Sequence, residues 1–161
     1  MLRPIPLLLL LAHIASAQPS AEESAHIDFI RDTRALKDSL LRHGTDSPLL
    51  PEDQPSFRGL AYYPIDLAYR LVGQMHIYGR QRQIEVPDTG GTTLTMERFG
   101  RLYFSWGEKE YWLEVYRSLE NGQLEAFFKD QSSGQTTYVG GRYVQVAPLQ
   151  DGLYLIDFNG A

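Results

Sequence analysis

The chain has no cysteine, only four histidines, and no apolar run beyond its first residues that is long enough to cross a bilayer. Without cysteine there is no disulfide framework, thiolate nucleophile, zinc knuckle, iron–sulfur cluster or lipidated cysteine to consider. Basic charge is also short: 15 Lys+Arg against 20 Asp+Glu leave a net charge of -5 and a pI of about 5.3. That balance lacks the electrostatic footprint of nucleic-acid binding, so no nucleic-acid partner is expected. His26, His43 and His76 fall at no helical or strand spacing that would pair two of them on a metal, so neither a metal site nor a cofactor is called for. There is no Gly-x-Ser-x-Gly elbow and no serine beside an activating base. Gly90-Gly91 and Gly140-Gly141-Arg142 lack Walker spacing and a following helix, and read as turns or bulges. Twenty acidic residues always permit some carboxylate pair in space, but no local pattern marks one for glycoside hydrolysis.

What is present begins with an address. Arg3, an apolar run from Ile5 to Ile14 and the small residues Ala15-Ser16-Ala17 have the three-part plan of a secretory signal peptide, with cleavage expected between Ala17 and Gln18. The run is too short for a membrane span, which needs about twenty residues. Cleavage leaves 161 - 17 = 144 residues and, by removing Arg3, takes the charge from -5 to -6. The expected product is a secreted or periplasmic protein with no membrane span after cleavage. Free of cysteine in an oxidising compartment, it must rely on a hydrophobic core, which is feasible at this length. The expected organisation is a signal peptide over 1–17, a helix within 18–44 and a β domain over 45–161, with helix and β domain forming one globular unit.

Ser20 and Glu23 have capping-box spacing, and helical periodicity continues to Gly44. Ala25, Phe29, Leu36 and Leu40 share one stripe flanked by Ile30 and Leu41, opposite Asp28, Arg31, Asp32, Asp38, Ser39 and Arg42. A membrane-seeking helix would be basic on its polar face, and this one mixes both signs. Packing on the rest of the domain through the apolar stripe is expected, so Leu36→Asp should destabilise strongly. His26 and His43 are expected as solvated ends of the helix. Pro48, Pro51, Pro55 and Pro64 then exclude regular helix and central strand, while Leu49, Phe57, Leu60, Tyr62 and Tyr63 argue for an ordered, extended segment.

After Asp66 come short alternating segments: Leu71–Tyr78, Gln83–Val86, Thr93–Arg98, Leu102–Trp106, Tyr111–Arg117, Leu124–Lys129, Tyr143–Ala147 and Leu153–Phe158. Turn signals fall at Asp88-Thr89-Gly90-Gly91, Phe99-Gly100, Glu120-Asn121-Gly122 and Ser132-Ser133-Gly134. Regular spacing without intervening helices predicts a mainly β fold, an antiparallel β-sandwich or barrel-like sheet with one N-terminal amphipathic α-helix packed on it. Ten Tyr, seven Phe and two Trp exceed what a small core needs, and those on the strands can frame a ligand surface or fill the interior. His76, alternating with Val72, Gln74 and Tyr78 on one strand face, reads either as a structural histidine or as a base.

Several phrases together resemble the DUF1684 family, a bacterial and archaeal family of unknown function. They are Asp46-Ser47-Pro48-Leu49, Phe57-Arg58-Gly59-Leu60 running into Tyr62-Tyr63-Pro64-Ile65-Asp66-Leu67-Ala68-Tyr69-Arg70, Met96-Glu97-Arg98-Phe99-Gly100, Phe127-Phe128-Lys129-Asp130, Thr137-Tyr138-Val139-Gly140-Gly141-Arg142-Tyr143 and Leu155-Ile156-Asp157-Phe158-Asn159. Members typically continue past the last phrase into a segment rich in Tyr, Asn, Pro and Cys, so a C-terminally short member is expected. The resemblance draws attention to Arg70, Arg98, Tyr138, Arg142, Asp157 and Asn159. Asp157 and Asn159, two apart, project from one strand face, where an arginine would either pair with the carboxylate structurally or clamp an anionic ligand. Two functions stand open. One is an exported module that binds a small ligand or a protein, with Arg70, Arg98, Tyr138 and Asn159 as binding candidates. The other is an extracytoplasmic hydrolase or lyase with acid–base chemistry around Asp157, Arg142 and His76.

Overall fold

The computed structural model describes residues 19–87 and 93–161. The signal segment, its cleavage point and the turn signal at 88–91 lie outside the described residues. Helix α1 (Ala21–His43) begins on a reciprocal cap: Ser20 Oγ accepts the Glu23 amide at 3.2 Å and the Glu23 carboxylate accepts the Ser20 amide at 2.8 Å. Two of the orphan donors at the helix start are thereby satisfied. The Ser20 amide, and then its hydroxyl, hold the Glu23 carboxyl below its usual range.

The helix packs on the rest of the chain, but not through the expected stripe. Phe29, Leu36 and Leu40 are 63%, 60% and 58% exposed, whereas Ile30 is buried. The face turned inward carries His26, Ile30, Arg34, Asp38 and Arg42, spaced by four. Three of its polar members, Arg34, Asp38 and Arg42, bind the proline-rich segment. Arg34 Nη1 donates to Tyr63 O at 2.8 Å, Arg42 Nε donates to Phe57 O at 2.9 Å, and Asp38 Oδ1 accepts from Leu60 N at 3.1 Å and Tyr62 Oη at 3.0 Å. Gly59, at φ +111°, makes the turn that presents Leu60 to Asp38. Burial and the Asp38 contact push the Tyr62 phenol up to about 12. Charge-assisted bonds to otherwise unsatisfied backbone outweigh the apolar stripe as the anchor of α1. Leu36→Asp is therefore expected to change stability by no more than about 0.5 kcal/mol; a thermal melt that falls sharply would reinstate the stripe as the packing face. Among the described residues no helix is long and apolar enough to cross a membrane.

Among the described residues six strands follow: β1 (Arg70–Pro87), β2 (Thr93–Trp106), β3 (Lys109–Ser118), β4 (Leu124–Phe128), β5 (Arg142–Pro148) and β6 (Leu153–Asp157). Each pairs antiparallel with the next and β6 pairs with the first residues of β1, Arg70–Gln74, so the sheet closes into a barrel. Of the two arrangements open to the sequence, the barrel is the one formed. Leu102, Phe104, Val115, Ala126, Val144, Val146 and Ile156 make its buried interior.

Two expected boundaries are corrected. Leu71–Tyr78 and Gln83–Val86 are parts of one strand, β1, and Thr93–Arg98 and Leu102–Trp106 are parts of β2. Phe99-Gly100 is a bulge and not a turn, since the β2–β3 register slips by one between Arg98 and Gly100. Glycine is required there because a Cβ would collide with the His76 carbonyl on β1. The Asn121-Gly122 turn forms as expected, with Gly122 at φ +74° and its amide on Ser118 O at 2.9 Å.

Candidate functional site

Asp157 and Asn159 form a latch at the end of β6. The Asp157 carboxylate accepts from His26 Nε2 at 2.6 Å, from the Asn159 amide at 2.9 Å and from Asn159 Nδ2 at 2.8 Å. His26 is thus no solvated helix end; it pins α1 to the barrel. The buried Asn159 also donates to Asp66 O at 2.8 Å and accepts from Asp66 N at 2.9 Å, while its own carbonyl receives Arg34 Nη2 at 2.9 Å. Arg70, the cross-strand neighbour of Asp157, is exposed, and the carboxylate's side-chain partner from outside the C-terminal segment is a histidine of the distant helix.

Arg142 pairs elsewhere. Its Nη2 lies 2.6 Å from Asp130 Oδ2, and its guanidinium sits 5.0 Å from the centre of the Phe128 ring. The Ser132 hydroxyl first, and the Arg142 charge with it, hold the Asp130 carboxyl below its usual range. Tyr138, 60% exposed, stands in the loop between β4 and β5. Asp157, Asn159, Arg142 and Tyr138 line neither of the two cavities described below. Among the described residues His26 bonds to no serine or threonine hydroxyl, and no three His, Asp or Glu side chains cluster as metal ligands. The latch ties three parts of the chain together, the helix, the Asp66 turn and the C-terminal end.

The remaining candidates, Arg98 and His76, lie at a different place, where β1 bulges. Between the pairs Ile77↔Gly100 and Arg82↔Arg98, four residues of β1 (78–81) face one residue of β2 (Phe99). The slack opens a bay of about 350 Å³ lined by Tyr78, Gly79, Arg80, Arg82, Arg98 and Arg101. Glu114 on β3 braces it, accepting Tyr78 Oη at 2.6 Å and lying 3.0 Å from Arg98 Nη2 and 3.5 Å from Arg101 Nε. Because Glu114 adjoins the fully buried Val115 along β3, alternation places the bay on the outer wall of the barrel. His76, opposite Arg101, is exposed beside it.

The electrostatics are lopsided. Burial alone would raise the Glu114 carboxyl, but the Tyr78 hydroxyl and the Arg98 guanidinium outweigh it and hold the group ionised below its usual range. The Tyr78 phenol is pushed up by burial and by Glu114. Four guanidiniums against one carboxylate leave a surplus of three positive charges (4 - 1 = 3) in a chain whose net charge is -5. Arg82 and Arg98 are directly opposed across the ladder, an arrangement that repels. Among the described residues Arg80 and Arg82 have no carboxylate partner.

Arg80, Arg82, Arg101 and Glu114 did not stand out in the sequence. The only local signal was the spacing of Arg80 with Arg82 and of Arg98 with Arg101, which acquires meaning only once β1 and β2 pair. The second cavity, about 400 Å³, opens at one end of the barrel between Phe99, Leu124, Val146, Pro148 and Tyr154. Arg117 at its rim is neutralised by Glu97, with Nε 3.0 Å from the carboxylate.

Comparison with known proteins agrees with this architecture and supplies no activity. The solution NMR structure of an uncharacterized protein of Haloarcula marismortui superposes with a TM-score of 0.67 at 26% identity, over 86% of this chain and 78% of that one. No curated protein matches the chain. Residues 55–161 match DUF1684, described as a protein of unknown function. That span takes in the barrel and every quoted phrase except Asp46-Ser47-Pro48-Leu49, and the chain belongs to the DUF1684 family.

Proposed function

We propose that the protein is an exported binding module, cleaved after Ala17, whose ligand presents an anionic group to the arginine bay. The observation that carries this reading is the surplus of guanidiniums around the β1 bulge, against the sign of the whole chain. Four like charges on one wall cost folding energy unless something of opposite sign offsets them, and Glu114 offsets only part. The arginine fork suits oxyanions because two N–H groups can meet two oxygens at once. Arg98 and His76 keep a place in this reading, as lining and rim. The acid–base alternative around Asp157 and Arg142 draws no support from the geometry, since both side chains are engaged by other residues.

Inorganic pyrophosphate titrated into the mature chain at low ionic strength tests the idea by calorimetry and amide NMR. The expected result is saturable binding with shifts at residues 78–82 and 98–101, weakened about tenfold when Arg80 and Arg82 are both replaced by Ala, and weakened further by added salt. Binding that ignores the double substitution would refute the assignment. Mass spectrometry of the exported protein is expected to find a new N-terminus at Gln18; an intact Met1 in the extracytoplasmic fraction would refute export by cleavage.

A further inference from the structure

The bay does not end at Arg101. Its guanidinium lies 4.4 Å from the centre of the Trp112 ring, and Trp112 on β3 is paired across the ladder with Tyr103 on β2. The neighbours Leu102 and Leu113, also paired, pack into the interior, so alternation turns Tyr103 and Trp112 outward onto the wall that bears the bay. Both rings are substantially open, Trp112 at 51% and Tyr103 at 42% exposed. The outer wall therefore carries one continuous strip, with two aromatic side chains side by side, then Arg101, then Arg98 and Arg82 at the bulge.

Resting on the reading of the bay as an anion site, we infer that its ligand is an anionic saccharide chain, whose sugar rings lie on Trp112 and Tyr103 while a sulfate or carboxylate enters among Arg82, Arg98 and Arg101. Three features select this class. The strip from Tyr103 to Arg98 covers six residues of β2, five steps or about 16 Å at strand rise, which is too long for a lone oxyanion. Its aromatic part is an open platform that offers a face for stacking without enclosing a ring edge, so it suits the apolar faces of successive sugars better than a nucleobase that must be read by its edge. The charges are guanidiniums, one of them held between a carboxylate and an indole, and so presented in fixed orientation.

The experiment compares five probes by calorimetry on the intact mature chain: a short heparin oligosaccharide, a short polygalacturonate, a neutral cello-oligosaccharide, a single-stranded oligonucleotide and inorganic pyrophosphate. The heparin and polygalacturonate arms separate sulfate from carboxylate as the anionic group. At least one of these two is expected to bind ten or more times tighter than pyrophosphate, and the neutral oligosaccharide at least tenfold more weakly than the better of them. Trp112→Ala should weaken the charged saccharide about tenfold and pyrophosphate by no more than about threefold, the share due to the loosened Arg101, with Tyr103→Ala acting in the same direction and Trp112→Phe restoring most of the loss. If pyrophosphate binds at the arginines but the aromatic variants leave saccharide binding unchanged, the saccharide inference is overturned and the anion site stands. Equal affinity for a single-stranded oligonucleotide of the same charge would also overturn it. If neither pyrophosphate nor any charged saccharide binds, the reading of the bay itself fails.

Discussion

Replacing Asn159 with Asp is expected to lower folding stability by about 3–4 kcal/mol at pH 7. The native amide serves both sides of its cage, since Nδ2 donates to Asp66 O and Asp157 Oδ1 while Oδ1 accepts from Asp66 N. A carboxylate keeps the acceptor and loses the donor. It would then face the Asp66 carbonyl and the Asp157 carboxylate at hydrogen-bond distance with no proton between them, in a site only 5% exposed. Like charge and burial both raise the folded pKa of the introduced acid above its unfolded value near 3.9. The sign follows from linkage: the penalty is fully present above the folded pKa and disappears below the unfolded one, where both states carry the proton. Urea denaturation followed by circular dichroism should therefore show a large deficit against the natural chain at pH 7 and a much smaller one near pH 3.5. A deficit equal at both pH values would mean that lost packing, and not the missing donor, explains the effect. Asn159→Ala, which removes the bonds without adding charge, is expected to cost about 2 kcal/mol at either pH.

That latch also shows what was legible in the sequence and what was not. The cap at Ser20 and Glu23 correctly set the start of α1, because it is a local relation, whereas Asp157 and Asn159 do not share a strand face: β6 ends at Asp157 and Asn159 reaches its carboxylate from the helical turn Phe158–Gly160. The partner of Asp157 was not legible. His26 lies 131 residues away, and nothing in its helical neighbourhood marks it as bonded. Periodicity misled at α1 for a physical reason: the spacing of apolar side chains says nothing of donors and acceptors, whereas this helix is held by His26, Arg34, Asp38 and Arg42. The strand segments were legible but not their number, since eight were expected and six strands form among the described residues. Turn residues such as Phe99-Gly100 read the same whether the chain reverses or bulges, and only the register against β1 and β3 decides. The arginine bay was the least legible feature, since Arg82 meets Arg98 only through that register and Glu114 joins them from a third strand.

The register that creates the bay depends on close approach between β1 and β2, and Gly73→Ala should break it at a cost of about 3 kcal/mol. Gly73 stands where the barrel closes, paired with Phe104 of β2 on one side and Tyr154 of β6 on the other. A methyl group there would overlap the Tyr103 carbonyl and come within 2.9 Å of Leu102 Cδ1 and 3.1 Å of Phe104 Cβ. The carbonyl belongs to backbone and cannot rotate away like a side-chain tip. Relief requires β1 to move outward, which its ladder to β6 resists, or β2 to move, which disturbs the buried Leu102 and Phe104. Gly79→Ala supplies the contrast, because a Cβ at that position meets nothing within 4 Å and the residue lies inside the bulge. Its stability should stay within about 0.5 kcal/mol of the natural chain. Thermal and urea unfolding of the two variants check the pair of expectations, and equal stability would show that the β1–β2 contact at Gly73 is loose enough to absorb a methyl. Because the Gly73 contact and the bulge lie on the same two strands, Gly73→Ala is also expected to weaken pyrophosphate binding in any fraction that remains folded. Gly79→Ala keeps the register, so any change in its pyrophosphate binding would report the methyl added to the bay lining and not a shifted ladder.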